Sequence, residues 1–298
     1  MTLKKQEIQN YQKAGEISVK VKDYAKKIIK PGMKLSEIAD KIEEKIESLG
    51  GEIAFPVNLA IDDVAAHFTP SSDSDEKAGG LLKVDLGVHV NGFIADTAFS
   101  LDLSKEGKYK GLIKASQEAL DNALNNLKKG IILSEIGSII QKTITEKGFS
   151  PIRNLSGHEL GHWTVHAGLI IPSYENNNTS ELDEGAYAIE PFATTGEGLV
   201  KNGGPSNIYR LENAEAGVRD PIARKIIKFV KEKYETLPFS QRQIEKKFGS
   251  RTKIALRFLE NSGILHHYAQ LVEKSHEPVS QAEHTVLITE KGVEVTTR

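Results

Sequence analysis

The chain has 298 residues, a net charge of −2 and an apolar fraction of 39%. That is enough for a sizeable core in one large or two smaller domains. It has no run of about 18 apolar residues that would predict a membrane span, and its charged first thirty residues lack the apolar stretch of a secretory signal. It contains no cysteine, which excludes disulfides and thiolate chemistry and fits a cytoplasmic protein.

Leu3 to Lys30 reads as an amphipathic helix, with Ile8, Tyr11, Ala14, Ile17, Val21, Tyr24 and Ile28 near a 3.6-residue period. Pro31-Gly32 ends it. Ser36 is the expected N-cap of a second helix that runs to Gly50-Gly51. Glu52 to Ala60 is extended and apolar, and Asp62 to Pro70 leads into a polar loop, Ser71 to Gly80.

Val84 to Asp96 follows. Asn91-Gly92 is a strong two-residue hairpin signal, because a type I′ turn needs φ > 0 at both central positions. The flanks are mostly β-branched or aromatic, so two antiparallel strands are predicted. Val90 then faces Phe93 and Gly87 faces Asp96, which places Asp85 on the face of Asp96, roughly 7–8 Å away at Cα. Side chains leaning together can hold two cations about 3.5–4 Å apart. Gly87 is expected to leave the space for an ion. Two unpaired carboxylates in apolar surroundings are expensive to bury, and a bound cation is the usual remedy. The plainer alternative is a hairpin with two solvated acids.

Lys108–Lys128 and Ser134–Lys147 read as helices. Gly32-Met33-Lys34-Leu35-Ser36-Glu37-Ile38 returns as Gly130-Ile131-Ile132-Leu133-Ser134-Glu135-Ile136, an offset of 98 that also maps Gly50 onto Gly148. Two related α+β halves of about 100 residues, facing across a pseudo-twofold axis, are predicted. Such an interface is a natural place for a pocket.

Further on, Leu155 to Gly168 carries His158, His162 and His166, and Glu190 is the lone charge in Ala186 to Phe192. Residues 221–275 differ in character. They pattern as helices at Ala223–Tyr234, Ser240–Phe248 and Arg251–Asn261, then an extended Gly263–Val272. Their 12 Lys/Arg against 5 Asp/Glu give +7, which leaves −9 for the rest. This looks like an inserted helical module resembling a winged helix. Its charge reads either as a solvated basic surface or as a docking face for nucleic acid or ribosomal RNA. Gln281–Thr289 and Gly292–Thr296 are strand-like, and Glu283 stands beside a β-branched run.

Five groups are thus expected on strands: Asp85, Asp96, His158, Glu190 and Glu283. This hard, oxygen-rich set suits Mn²⁺, Fe²⁺, Co²⁺ or Zn²⁺. Two divalent ions would balance four carboxylates, lower the pKa of a bridging water and polarise a carbonyl. His158-Glu159-Leu160-Gly161-His162 also matches the H-E-x-x-H zinc motif, which requires a helix. Gly157, Gly161, Gly168, Thr164 and Val165 argue against one.

In order and context, Val84-Asp85-Leu86-Gly87, Ile94-Ala95-Asp96-Thr97, Gly157-His158, Ile189-Glu190-Pro191-Phe192 and Ala282-Glu283-His284-Thr285 resemble the dinuclear metallopeptidases of pita-bread fold. The match is nearest to methionine aminopeptidases, and it spans essentially the whole chain. The helical insertion between Glu190 and Glu283 is similar to type 2 members, of archaeal kind. The resemblance implies an α+β pita-bread fold, two pseudo-symmetric halves around a curved antiparallel sheet. Residues 1–205 and 276–298 would form the catalytic domain, and 206–275 the winged-helix-like insertion.

It also implies residue roles. Asp85 would chelate one metal, His158 and Glu190 would hold the other, and Asp96 and Glu283 would bridge them. Glu190 would double as general base. His67 would sit near the scissile bond, and His166 would stabilise the tetrahedral intermediate. Phe55, Pro56, Phe192 and His166 would line the methionine pocket, with Tyr268 at its mouth. Without the resemblance, His67 and His166 read as core histidines and Phe55, Pro56 and Phe192 as ordinary core. His89, His162, His266, His267, His276 and His284 read as structural or surface groups.

The implied activity is removal of initiator methionine from nascent chains by a metal-bridged hydroxide, in a cytoplasmic monomer. The insertion is a candidate for ribosome association. The alternatives are a proline-specific relative of the prolidase or aminopeptidase P type using the same ligands, and a non-catalytic RNA- or ribosome-binding protein on the same fold.

Overall fold

The computed structural model describes residues 3–249 and 251–298. The first half contains α1 (Lys5–Ile28), α2 (Leu35–Ser48), β1 (Glu52–Ile61), β2 (Val64–Ala66), β3 (Leu81–Val90) and β4 (Phe93–Asp102). β1, β3 and β4 form one antiparallel sheet in the order β1-β3-β4. Val84, Leu86 and Val88 pack with Ile17, Val21, Ile38 and Ile42 from the two helices. Strand alternation turns Asp85 and Gly87 to the opposite face.

The second half contains α3 (Lys110–Asn126), α4 (Leu133–Glu146), β5 (Ser150–Pro151), β6 (Ser156–Leu160), β7 (Ile170–Pro172), β8 (Gly185–Ile189) and β9 (Phe192–Thr194). After it come β10 (Val200–Leu211), α5 (Pro221–Lys233), β11 (Phe239–Ser240), α6 (Gln241–Phe248), α7 (Thr252–Asn261) and β12 (Leu265–Glu273). The chain continues with β13 (Val279–Gln281), β14 (His284–Thr289) and β15 (Gly292–Val295). A five-stranded sheet runs β15-β14-β8-β6-β7. Leu120, Ile136, Ile140 and Ile144 cover it, packing with Ile189, Val286 and Ile288.

The internal echo is structural. Shifting α2 by 98 residues gives the bounds of α4. Gly32 and Gly130 both have positive φ, 84° and 79°. Their N–H groups donate to Ala78 O at 2.8 Å and Leu182 O at 2.7 Å.

The expected Ser36 cap is not formed. Lys34 is the N-cap of α2, without a side-chain hydrogen bond. A strap at residues 76–78, between β2 and β3, supplies a backbone acceptor instead, with Leu35 N–H donating to Glu76 O at 2.9 Å. Satisfying that N–H from the backbone removes the need for a hydroxyl.

The two halves join where β4 meets the segment before β14, through a bridge between Ala98 and Glu283. β10 and β12 pair with each other, and β12 pairs with β2. α5 starts on Asp220, whose carboxylate accepts from Ala223 N–H at 2.7 Å, and α6 starts with a Ser240–Gln243 capping box. Arg242 on α6 is buried against Asp40 and Glu43 of α2, and its guanidinium reaches Glu43 at 2.7 and 3.0 Å. Among the described residues, no helix is long and apolar enough to cross a membrane.

Candidate metal centre

The hairpin has the predicted register: Val90 pairs with Phe93 and Gly87 with Asp96. Asn91 and Gly92 take φ of 51° and 79°, as a type I′ turn demands. The space over Gly87 differs from expectation. A Cβ there would lie 2.3 Å from the Phe55 ring, so Gly87 makes room for that aromatic rather than for an ion.

β6 carries His158. Its Nε2 lies 3.5 Å from Glu190 Oε1 and 3.8 Å from Asp96 Oδ2. The H-E-x-x-H stretch is not helical. His158 turns inward, while His162 Nε2 meets Asn91 O at 2.9 Å and its ring stacks on Phe93. Glu190 and Glu283 were expected on strands, but Glu190 falls between β8 and β9, and Glu283 between β13 and β14. At those breaks each backbone leaves its ladder, and each carboxylate reaches the face where Asp96 and His158 stand. Donor atoms of Asp96, His158 and Glu283 lie within 4.8 Å of one another.

Burial pushes Asp85 up to about 7. Burial, then the negative charge of Asp85 and Glu190, raises Asp96 well above the carboxylate range. Glu190 and Glu283 are raised by burial and then by neighbouring carboxylates. One oxygen each of Asp85, Asp96 and Glu283 is buried without a hydrogen-bond partner. Burial holds His158 neutral, down to about 3. Crowded, orphaned carboxylates beside a neutral imidazole fit hard divalent cations, which would offset the repulsion and satisfy the oxygens.

A cavity of about 440 Å³ opens on this cluster, and Phe55, His67, His166, Phe192 and Tyr268 all line it. Pro56 does not. β1 has register irregularities on either side of Phe55, so Phe55 and Asn58, three apart, both reach the cavity while Pro56 does not. His67, at the end of β2, has φ of 58° and packs edge-on against Tyr268 at 5.5 Å. His166 packs edge-on against His158 at 4.4 Å. Burial, then the neighbouring His166, lowers His67 to about 4, and burial lowers His166.

His89 is buried beside Trp163 and accepts from Gly92 N–H at 3.2 Å, away from the cavity. The sequence reading missed two groups that hold the donors. Gln281 Nε2 lies 3.5 Å from Asp85 Oδ2. Thr285 Oγ1 accepts from Asp96 N–H at 2.7 Å and donates to Asp96 O at 2.8 Å. Their signal was the i, i+2 spacing of polar Gln281, Glu283 and Thr285 among strand residues.

Residues 9–290 match the family description "Metallopeptidase family M24". The chain belongs to that family. It is 43% identical over 298 residues to a methionine aminopeptidase of Methanocaldococcus jannaschii, covering 98% of this chain and 100% of that one. A thermophilic Arx1 structure superposes with a TM-score of 0.86 at 19% identity, covering 99% of this chain and 91% of that one. A methionine aminopeptidase structure from Thermotoga maritima superposes with a TM-score of 0.72 at 21% identity, covering 100% and 99%. The M24 chain therefore has the pita-bread fold, with helices outside a curled antiparallel sheet and the donor cluster inside it.

Proposed function

We propose that this chain is a metal-dependent methionine aminopeptidase that removes the initiator methionine from nascent polypeptides in the cytoplasm. One observation carries the reading. Four carboxylates and an imidazole from five separate segments face one cavity, with buried oxygens left unpartnered. We assign Asp85, Asp96, His158, Glu190 and Glu283 as ligands of two divalent ions. When bound, such ions supply a nucleophilic hydroxide at neutral pH and polarise the scissile carbonyl.

The chain's own groups do the rest. Glu190 takes the proton of the attacking water. His166, kept neutral, donates an N–H to the developing oxyanion. His67, also neutral, faces the leaving amine. Phe55 and Phe192 form the apolar wall for an unbranched thioether side chain, and Tyr268 stands at the mouth. Residues 1–205 and 276–298 act as the catalytic domain, with 206–275 as the insertion, and the protein works as a monomer.

A second part of the proposal concerns the insertion. On α7, Ile254 is 77% exposed and Phe258 46% exposed, beside the exposed Arg251 and Arg257. This apolar and basic face supports docking on the ribosome.

Hydrolysis of Met-Ala-Ser and of Ala-Pro peptides, with Mn²⁺ or Co²⁺ and an EDTA control, tests the activity. Metal-dependent release of methionine alone is expected. Cleavage of Ala-Pro alone would assign the site to the proline-specific relatives, and tight RNA binding with no turnover would make the chain a binding protein.

A further inference from the structure

We propose that Thr297 is a positioning residue for the metal centre, bracing Asp96 and Glu283 through two successive layers of hydrogen bonds. This rests on the assignment of Asp96 and Glu283 as metal ligands.

The first layer is Thr285, fully buried. Its hydroxyl spans both backbone groups of Asp96, accepting from N–H at 2.7 Å and donating to O at 2.8 Å. A hydroxyl has one proton to give and two lone pairs to accept with. Thr285 uses its proton on Asp96, so its own orientation must be fixed from elsewhere.

The second layer fixes it. Thr285 N–H donates to Thr297 Oγ1 at 3.0 Å. Thr296 N–H donates to Thr285 O at 3.0 Å, and Thr296 Oγ1 reaches the same oxygen at 3.3 Å. Thr297 Oγ1 also lies 2.8 Å from His284 Nδ1, a hydrogen bond whose direction follows the imidazole tautomer. One side chain therefore orients the two residues that follow Glu283. Thr297 is itself fully buried.

The segment is clamped in place by α1. Lys22 Nζ donates to Thr297 O at 2.6 Å. Gly15 lies so close that a Cβ there would be 2.3 Å from Thr296 O. The chain of contacts runs from α1, through Thr296 and Thr297, to Thr285 and Asp96. Outer hydrogen-bond partners of metal ligands set metal affinity by fixing ligand geometry. Of these residues only Asp96 lines the cavity, while Thr285, Thr296, Thr297 and Lys22 stand outside it.

Titration calorimetry with Mn²⁺ on the full chain tests the proposal, with thermal melting of the metal-free proteins alongside. Thr297→Val keeps the shape and removes the hydroxyl. It is expected to weaken Mn²⁺ binding about tenfold, and Thr297→Ser to restore it. Lys22→Met releases the same segment from α1 and is expected to weaken binding in the same direction, which carries the test if Thr297→Val does not fold. Variants that melt earlier yet bind Mn²⁺ as tightly as the unaltered chain would overturn the brace and leave only a structural role. No Mn²⁺ uptake by the unaltered chain would overturn the metal assignment, and the brace with it.

Discussion

Asp85 carries the clearest consequence of the centre's electrostatics. Its carboxyl is raised to about 7 by burial, and Asp96, Glu190 and Glu283 are raised with it. The sign of the pH effect follows. A carboxyl raised in the metal-free form holds a proton below its pKa, and a metal ligand must give that proton up. His158, lowered to about 3, is already neutral and releases nothing. Metal affinity is therefore expected to be weaker at pH 6 than at pH 8, rising as pH climbs through about 7. Calorimetry in buffers of different ionisation enthalpy should show protons released on Mn²⁺ binding, fewer as pH rises. Release that does not depend on pH would contradict the shifted carboxyls.

Among the elements, the β3–β4 hairpin was legible because its turn chemistry is local: Asn91-Gly92 fixes the register, and the register fixes which residues share a face. β1 was not legible to the same degree. Its irregularities around Phe55 depend on what β3 presents, and no pattern in Glu52 to Ala60 encodes them. Pro56 was misplaced for that reason, and Gly87 was credited to an ion when it serves Phe55. Glu190 and Glu283 were picked out as lone acids beside strand-like runs and set on strands; Pro191 was the local sign of the first break, whereas Ala282-Glu283-His284 carries no such sign. Gly87→Ala tests the β1–β3 contact. The new methyl would meet the Phe55 ring at 2.3 Å, overpacking that costs about 1–3 kcal/mol. The ring that must yield lines the cavity, so KM for methionyl peptides is expected to rise more than kcat falls, with metal content unchanged. Steady-state kinetics and denaturant melts read both effects.

Across the whole molecule, the offset of 98 was legible as a repeat because each half needs the same helix start against the same strap, at Gly32 and at Gly130. How α6 sits on α2 was not legible, since Arg242 and its acids are about 200 positions apart and share no local pattern. The halves and the final strands carry the residues we assign as metal donors, while Ile208 on β10, Pro238 before β11, and Tyr268 and Leu271 on β12 reach the cavity wall. Arg242 ties that wall to α2. Its side chain is 1% exposed and Glu43 7%, so losing the guanidinium strands a buried carboxylate. Breaking a buried pair from one side costs about 3–5 kcal/mol, whereas replacing both partners with apolar groups is often neutral. Arg242→Ala is expected to lose stability on that scale and to raise KM, because Pro238 lies just before β11, which runs straight into α6. Metal content should hold, since no donor is touched. Arg242→Met combined with Glu43→Leu should recover most of the stability, because neither change leaves a buried charge at that pair. If the double variant were as unstable as Arg242→Ala, packing of the long side chain rather than the stranded carboxylate would be what holds α6 to α2. Denaturant melts of the two variants, read beside their KM values, separate these outcomes.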